Sequence, residues 1–283
     1  MHHRIAPSSR RGLTYVTIAG IAWGTGGPTG ALLFEYAGLG STAVSFWRLT
    51  AAALWLALAR LVLRRGPVRR LFAASPLRYV GSGLGLAVCQ LGYFAAIPRV
   101  GVAIATVIAL GAGPFFIALG ARERITVALL VAVVGLFFLV SGDGSASIPG
   151  IIFALLSGAG YALTTLLNRN EPDPLSAAYI GFVAGAVFLL PLAITDGVVP
   201  TAVGWPLIAY FGLVPTALAY SLFYVSLRTL RASTAAVIAL IEPVVAASLG
   251  VLLLHERLGA VSVAGGVVLL AAVVVHARQE ASR

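Results

Sequence analysis

The stretch Ala235-Ala236-Val237-Ile238-Ala239-Leu240-Ile241-Glu242-Pro243 decides the fold. Seven apolar residues are followed by a carboxylate and a proline, inside a run that stays apolar to Leu254. Its centre, Val237-Ile238-Ala239-Leu240, repeats Val107-Ile108-Ala109-Leu110 from 130 residues earlier. A proline follows each copy, Pro114 and Pro243. Each segment then ends in a charged corner, Arg122-Glu123-Arg124 and His255-Glu256-Arg257. Ala95-Ala96-Ile97 stands before the first copy where Val225-Ser226-Leu227 stands before the second, and Trp23 and Tyr161 sit at similar depth in the opening segment of each half. The first copy departs from the second by carrying Gly111-Ala112-Gly113 ahead of its proline.

The rest of the chain has the composition of this stretch. Of 283 residues, 60% are hydrophobic, 32 more are glycine and 10% are charged; mean hydropathy is +1.00. Soluble domains carry about 25% charged residues, so a soluble globular protein is excluded, and so is a disordered chain. At about 20 apolar residues per helical crossing, ten segments fit. They lie near 13–34, 41–63, 79–97, 101–121, 125–141, 149–168, 175–195, 202–226, 232–254 and 258–276. Only helices satisfy their own backbone in lipid at this spacing. The expected fold is all-α and integral to the membrane, with ten transmembrane helices in two five-helix repeats, 1–143 and 144–283, around a central cavity.

All 19 basic residues are arginine. With the N-terminus inside, 16 fall on inner segments, Arg99 and Arg257 fall on outer loops, and Arg48 lies within a span. Cytoplasmic loops carry the basic excess, so both termini are expected in the cytoplasm. The net charge of +10 is therefore a topology signal and not a nucleic-acid surface. Arg4, Arg10 and Arg11 precede an apolar run longer than a signal peptide's core, which reads as a retained first helix. Five helices per half is an odd number, so the second half enters from the opposite side. Inverted repeats of this kind underlie many secondary transporters.

The length, the five-plus-five pattern and the segment Ala235–Pro243 through His255-Glu256-Arg257-Leu258 resemble the EamA-type proteins of the drug/metabolite transporter superfamily. Within it the chain looks most like YddG-type exporters of aromatic and other amino acids. The resemblance covers essentially the whole chain. It implies export of amino acids and related metabolites across a bacterial inner membrane by alternating access.

Several residues are candidates for the site. Glu242 is the one carboxylate in mid-span, where an ionised group costs about 2.5–3.5 kcal/mol on insertion scales. It either meets a substrate ammonium or a coupled proton, or bonds the backbone broken at Pro243. Arg48 either grips a substrate carboxylate, reaches the outer interface or pairs with Glu242. Gln90 offers a polar contact in the third span. Trp23, Tyr93, Tyr161, Tyr220 and Tyr224 are deep aromatics that stack on substrate or pack the core. Tyr36, Trp47, Tyr79 and Trp205 read as interface belts. Gly26, Gly27 and Pro28 predict a broken first helix, and Pro114, Pro215 and Pro243 are the other candidate hinges. The pairs Gly20/Gly24, Gly26/Gly30, Gly81/Gly85 and Gly181/Gly185 read as close helix contacts.

The four histidines are terminal or interfacial, so no intramembrane metal cluster is expected, and neither is a cofactor. No catalytic constellation or phosphate-binding glycine loop appears. The expected partners are a small-molecule substrate and membrane lipid, with no nucleic acid and a monomeric chain. The alternatives are a proton-coupled exporter of cationic drugs and, from another class, a membrane enzyme or lipid scramblase.

Overall fold

The computed structural model describes residues 7–139, 147–254 and 259–281. The boundary between the expected halves and the corner His255-Glu256-Arg257 lie outside the described residues. Every described element is helical. Eight helical stretches are long and apolar enough to cross a membrane: Ser41–Val62, Pro76–Val100, Ile104–Ala121, Ile148–Leu167, Pro174–Thr195, Gly204–Ser226, Ala232–Leu252 and Ala260–Glu280. The first expected segment is divided into α1 (Pro7–Gly24) and α2 (Gly26–Ala37), and the fifth contains the 13-residue α6 (Val127–Leu139). Each of the ten apolar segments thus contains helix.

The third and fourth segments depart from expectation. They form one unbroken run of helical backbone, α5 (Pro76–Ala121, 46 residues), with no non-helical linker. Straight, it would be about 69 Å long, more than twice the ~30 Å of a hydrocarbon core. It is folded back on itself instead. The Tyr93 hydroxyl lies 2.8 Å from Thr106 Oγ1, although 13 helical residues span about 20 Å. Both arms pack on α7 (Ile148–Leu167). Gly85 and Gly92 of the first arm abut Gly160 and Phe153, so that arm runs antiparallel to α7. Gly113 and Gly120 of the second abut Tyr161 and Leu166, so that arm runs parallel to it. The reversal packs Ala96, Val100 and Ala105 into one small apolar cluster.

After α3 (Ser41–Val62), a short exposed helix, α4 (Val68–Ala74), occupies what reads as an arginine-rich loop. Tyr79 is not an interface residue. It is 2% exposed, with its hydroxyl 3.3 Å from Glu171 Oε2, because the carboxylate is itself buried and needs donors.

Glycine sets the interhelix distances. A Cβ on Gly160 would lie 2.5 Å from the backbone of both Gly85 and Cys89, and one on Gly83 would lie 2.7 Å from the nitrogen of Gly185 in α8 (Pro174–Thr195). In lipid, helices associate through such close packing because burial of apolar surface gives no driving force. Gly26/Gly30 differs from the other glycine pairs. Gly30 is buried, yet a Cβ there meets nothing within 4 Å.

Candidate functional site where three interrupted helices meet

Three helix irregularities converge at mid-depth. The first is Thr25, between α1 and α2. Its amide bonds Ala22 O at 3.2 Å and its hydroxyl bonds the same oxygen at 2.7 Å, so the interruption is one tight turn and not unwound chain. Pro28 falls in the first turn of α2, where the missing N–H leaves nothing unpaired. The second lies at Leu240-Ile241, between α11 (Ala232–Ala239) and α12 (Glu242–Leu254). Leu240 and Ile241 donate to residues three back, at 3.2 and 3.1 Å. Pro243 is the second residue of α12 and is likewise free of cost there. The third is a π-turn, Leu213–Leu218, between α9 (Gly204–Gly212) and α10 (Ala219–Ser226), with Pro215 inside it. Single π-turns in α-helices concentrate at functional sites.

Glycine brings these three points into contact. A Cβ on Gly24 would lie 2.5 Å from Val245 Cβ and 2.9 Å from Glu242 O. One on Gly26 would touch Phe211 and Pro215 at 3.4 and 3.5 Å. Pro114, by contrast, lies inside α5 with the helix continuous through it. Its neighbours Gly111 and Gly113 serve contact, since a Cβ at 113 would sit 2.8 Å from the Tyr161 ring.

Around the meeting point lies an aromatic cluster. Trp23 packs edge-on to Tyr220 at 4.9 Å and Tyr161 at 6.4 Å, and against Phe223 at 5.1 Å. Phe182 packs on Tyr220 at 5.5 Å. The Trp23 indole N–H and the Tyr161 hydroxyl are buried without a hydrogen-bond partner. Buried donors are rarely left so. Glu242 is half-buried and accepts no hydrogen bond among the described residues. Its backbone oxygen packs against Gly24, the residue next to Trp23. Gln90 is buried and also makes no hydrogen bond among the described residues.

Other candidates are occupied elsewhere. Arg48 donates through Nε to Thr216 Oγ1 at 3.0 Å and through Nη2 to Pro215 O at 3.4 Å, and it lies 4.9 Å above the Phe211 ring. It therefore supports the backbone of the π-turn. No ion pair to Glu242 forms within 4.0 Å among the described residues. Tyr224 is fully buried and bonded to Thr164 Oγ1 at 3.0 Å, which places it in a packing role beside Tyr220. Tyr93 ties the α5 reversal. Thr216, Phe182, Phe211 and Phe223 were missed by sequence reasoning. Only Thr216 had a signal, as the hydroxyl beside Pro215.

Two open apolar grooves of about 320 and 290 Å³ lie on the outer faces of α3, one along α9 and one along α8. Neither includes Trp23 or Glu242.

The EamA-like transporter family model matches residues 148–278. The uncharacterized transporter YwfM of Bacillus subtilis (strain 168) is 31% identical over 263 residues, covering 86% of each chain. The uncharacterized inner membrane transporter YicL of Salmonella typhimurium (strain LT2) is 26% identical over 269 residues, 87% of this chain and 88% of that one. A crystal structure that shares 17% identity superposes with a TM-score of 0.77 over 95% of this chain and 97% of the other, which is a likeness of fold.

Proposed function

Because the chain belongs to the EamA-like transporter family, we propose that it is a secondary transporter that exports amino acids, aromatic ones included, by alternating access around the Trp23–Glu242 site. The proposal includes ten crossings in two inverted halves, both termini in the cytoplasm, and a YddG-type substrate range. It also takes the membrane to be a bacterial inner membrane and the chain to act as a monomer.

One observation carries the reading. Three interrupted helices meet beside a buried aromatic cluster in which two donors, Trp23 Nε1 and Tyr161 OH, lack partners and a carboxylate, Glu242, accepts no bond. Substrate sites of secondary transporters are typically formed by discontinuous helices that meet near mid-span. Unsatisfied donors beside an acceptor suit a zwitterion. Its carboxylate takes the indole and phenol donors, its ammonium faces Glu242, and its side chain stacks on Tyr220.

A second reading has its own support. Arg48 is held by Pro215 O and Thr216, which leaves Glu242 as the unengaged charge of the site. That balance suits a cationic substrate exchanged against protons.

Counterflow into liposomes separates the two. Vesicles carrying the purified protein are preloaded with one unlabelled amino acid, and uptake of the labelled form is followed with and without a pH gradient. Saturable exchange is expected. Exchange of organic cations alone, driven by the gradient, establishes the second reading, and no exchange of either class overturns both.

A further inference from the structure

Five ion pairs occur among the described residues, and all five share two properties. Each joins a residue before position 140 to one after position 147. Each also lies at the same end of the molecule, the end where α3 finishes and α5 and α11 begin.

Glu171 is fully buried and takes Arg78 Nη2 at 2.9 Å. Arg78 also donates through Nε to Leu167 O at 2.5 Å. Asp173 lies 3.9 and 3.8 Å from Arg60 and Arg65, while capping α8 through Ser176 N at 3.3 Å. Glu123 reaches across to cap α11, accepting from Ala232 N at 3.2 Å and Ser233 N at 3.0 Å. Arg169 and Arg231 flank it at 3.9 and 3.7 Å. The residues thus form one belt along the arginine-rich end.

The opposite end is joined differently. Asp196 accepts from Thr42 N at 2.9 Å and Thr42 Oγ1 at 2.7 Å. Trp47 Nε1 donates to Val198 O at 2.6 Å, and Thr201 N donates to Ala37 O at 3.1 Å. These bonds also cross between the two parts of the chain, but no ion pair is among them in the described residues.

We infer that the belt of Glu123, Glu171 and Asp173 with Arg60, Arg65, Arg78, Arg169 and Arg231 is the gate that closes the arginine-rich end of the transporter. This rests on the transporter reading above, but not on its substrate. An ionic seam has a property that an apolar one lacks. When it parts, water solvates both sets of charges, which offsets the loss of the ion pairs and keeps the two states closer in free energy. Backbone caps shared with the seam, at α8 and α11, couple its parting to movement of whole helices. The structure is closed at this end, and the alternative state requires all three carboxylates to release.

The single cysteine supplies the test. Cys89 lies in mid-span, half-buried, with Sγ 3.7 Å from Ser157 Oγ. A membrane-impermeant methanethiosulfonate is added to sealed vesicles of either orientation carrying the full chain, and the rate of Cys89 modification is read from each face. Glu123→Gln with Asp173→Asn removes two charges but keeps hydrogen-bond acceptors at both caps. The expected result is labelling about tenfold faster from the arginine-rich face and slower from the other. Thr42→Ala, at the opposite end, is expected to shift both rates the other way. Unchanged rates in the double variant, or faster labelling from both faces, overturns the gate. If the double variant does not accumulate, each single variant carries the same test with a smaller shift. Labelling needs no substrate. A double variant that labels as expected in a protein that exchanges no amino acid keeps the gate and removes the substrate proposal.

Discussion

The two repeat copies end in the same word, apolar residues and a proline, but the backbone obeys it in only one. At Val237–Pro243 the helix stops at Ala239, turns once and restarts at Glu242. At Val107–Pro114 it runs straight on inside α5. The opening helices show the reverse: α1/α2 is interrupted at Thr25, whereas α7 passes Tyr161 unbroken. The neighbours account for both. In the first copy, Gly111 and Gly113 serve close contact with Val133 and Tyr161, and an unbroken helix holds that contact. In the second, the interruption abuts Gly24 and the α1/α2 turn, so two broken helices meet each other. A proline thus permits a break without producing one. Where it falls in the first turn of a restarting helix it costs nothing, and where it falls mid-helix the helix continues with one backbone hydrogen bond missing.

The largest expected effect is at the glycine that lets the two interruptions touch. Gly24→Ala places a Cβ against Val245 and the Glu242 carbonyl and is expected to destabilise by about 1–3 kcal/mol. Gly30→Ala, which meets open space, is expected to stay within about 0.5 kcal/mol. Reversible unfolding in mixed micelles checks both, and equal losses would mean the contact at Gly24 is not what joins the two turns. Next comes the carboxylate that only the second copy carries. Glu242→Gln is expected to lower exchange by roughly tenfold, about 1.4 kcal/mol, with unfolding unchanged; wild-type exchange would reduce Glu242 to a structural acid. The prolines sharpen the contrast further. Pro114→Ala restores a mid-helix hydrogen bond and is expected to gain up to about 1 kcal/mol with exchange intact. Pro243→Ala is expected to be neutral in stability while slowing exchange, and identical behaviour of the two variants would mean that the two prolines do not differ in role. The smallest effect is at Trp23→Phe, which keeps the ring contacts and removes an unpartnered N–H. Stability is expected to hold and exchange to fall about threefold, near 0.7 kcal/mol.

Much of the fold was legible in the sequence because arginine punctuates it. The apolar runs between arginines gave segments within a few residues of the helices seen, such as α3 and α8. The α5 reversal was legible too, since Pro98-Arg99-Val100-Gly101 parts the third and fourth apolar segments; what the residues do not announce is that the backbone stays helical through it. The site was legible where it depends on composition. Glu242, Trp23, Tyr161 and Tyr220 are polar or aromatic groups in mid-span, and the structure brings them together. Arg48 was not, since its partners are the Pro215 carbonyl within a π-turn and the hydroxyl of Thr216, far along the chain. The ionic belt was hidden for the same reason. Glu171 and Asp173 lie in a loop whose partners are at least 90 positions away, and distance in sequence conceals a pairing that geometry makes plain.

The claim that the interrupted helices enclose the substrate is tested most directly by saturation binding of a labelled aromatic amino acid to the purified protein and to Gly30→Leu. Gly30 is buried, yet a Cβ there meets nothing within 4 Å, so a leucine enters that space from an unobstructed first atom. Saturable binding by the wild type and its loss in a folded Gly30→Leu variant is the expected result. Undiminished binding by that variant, with its unfolding midpoint intact, would place the substrate elsewhere in the molecule.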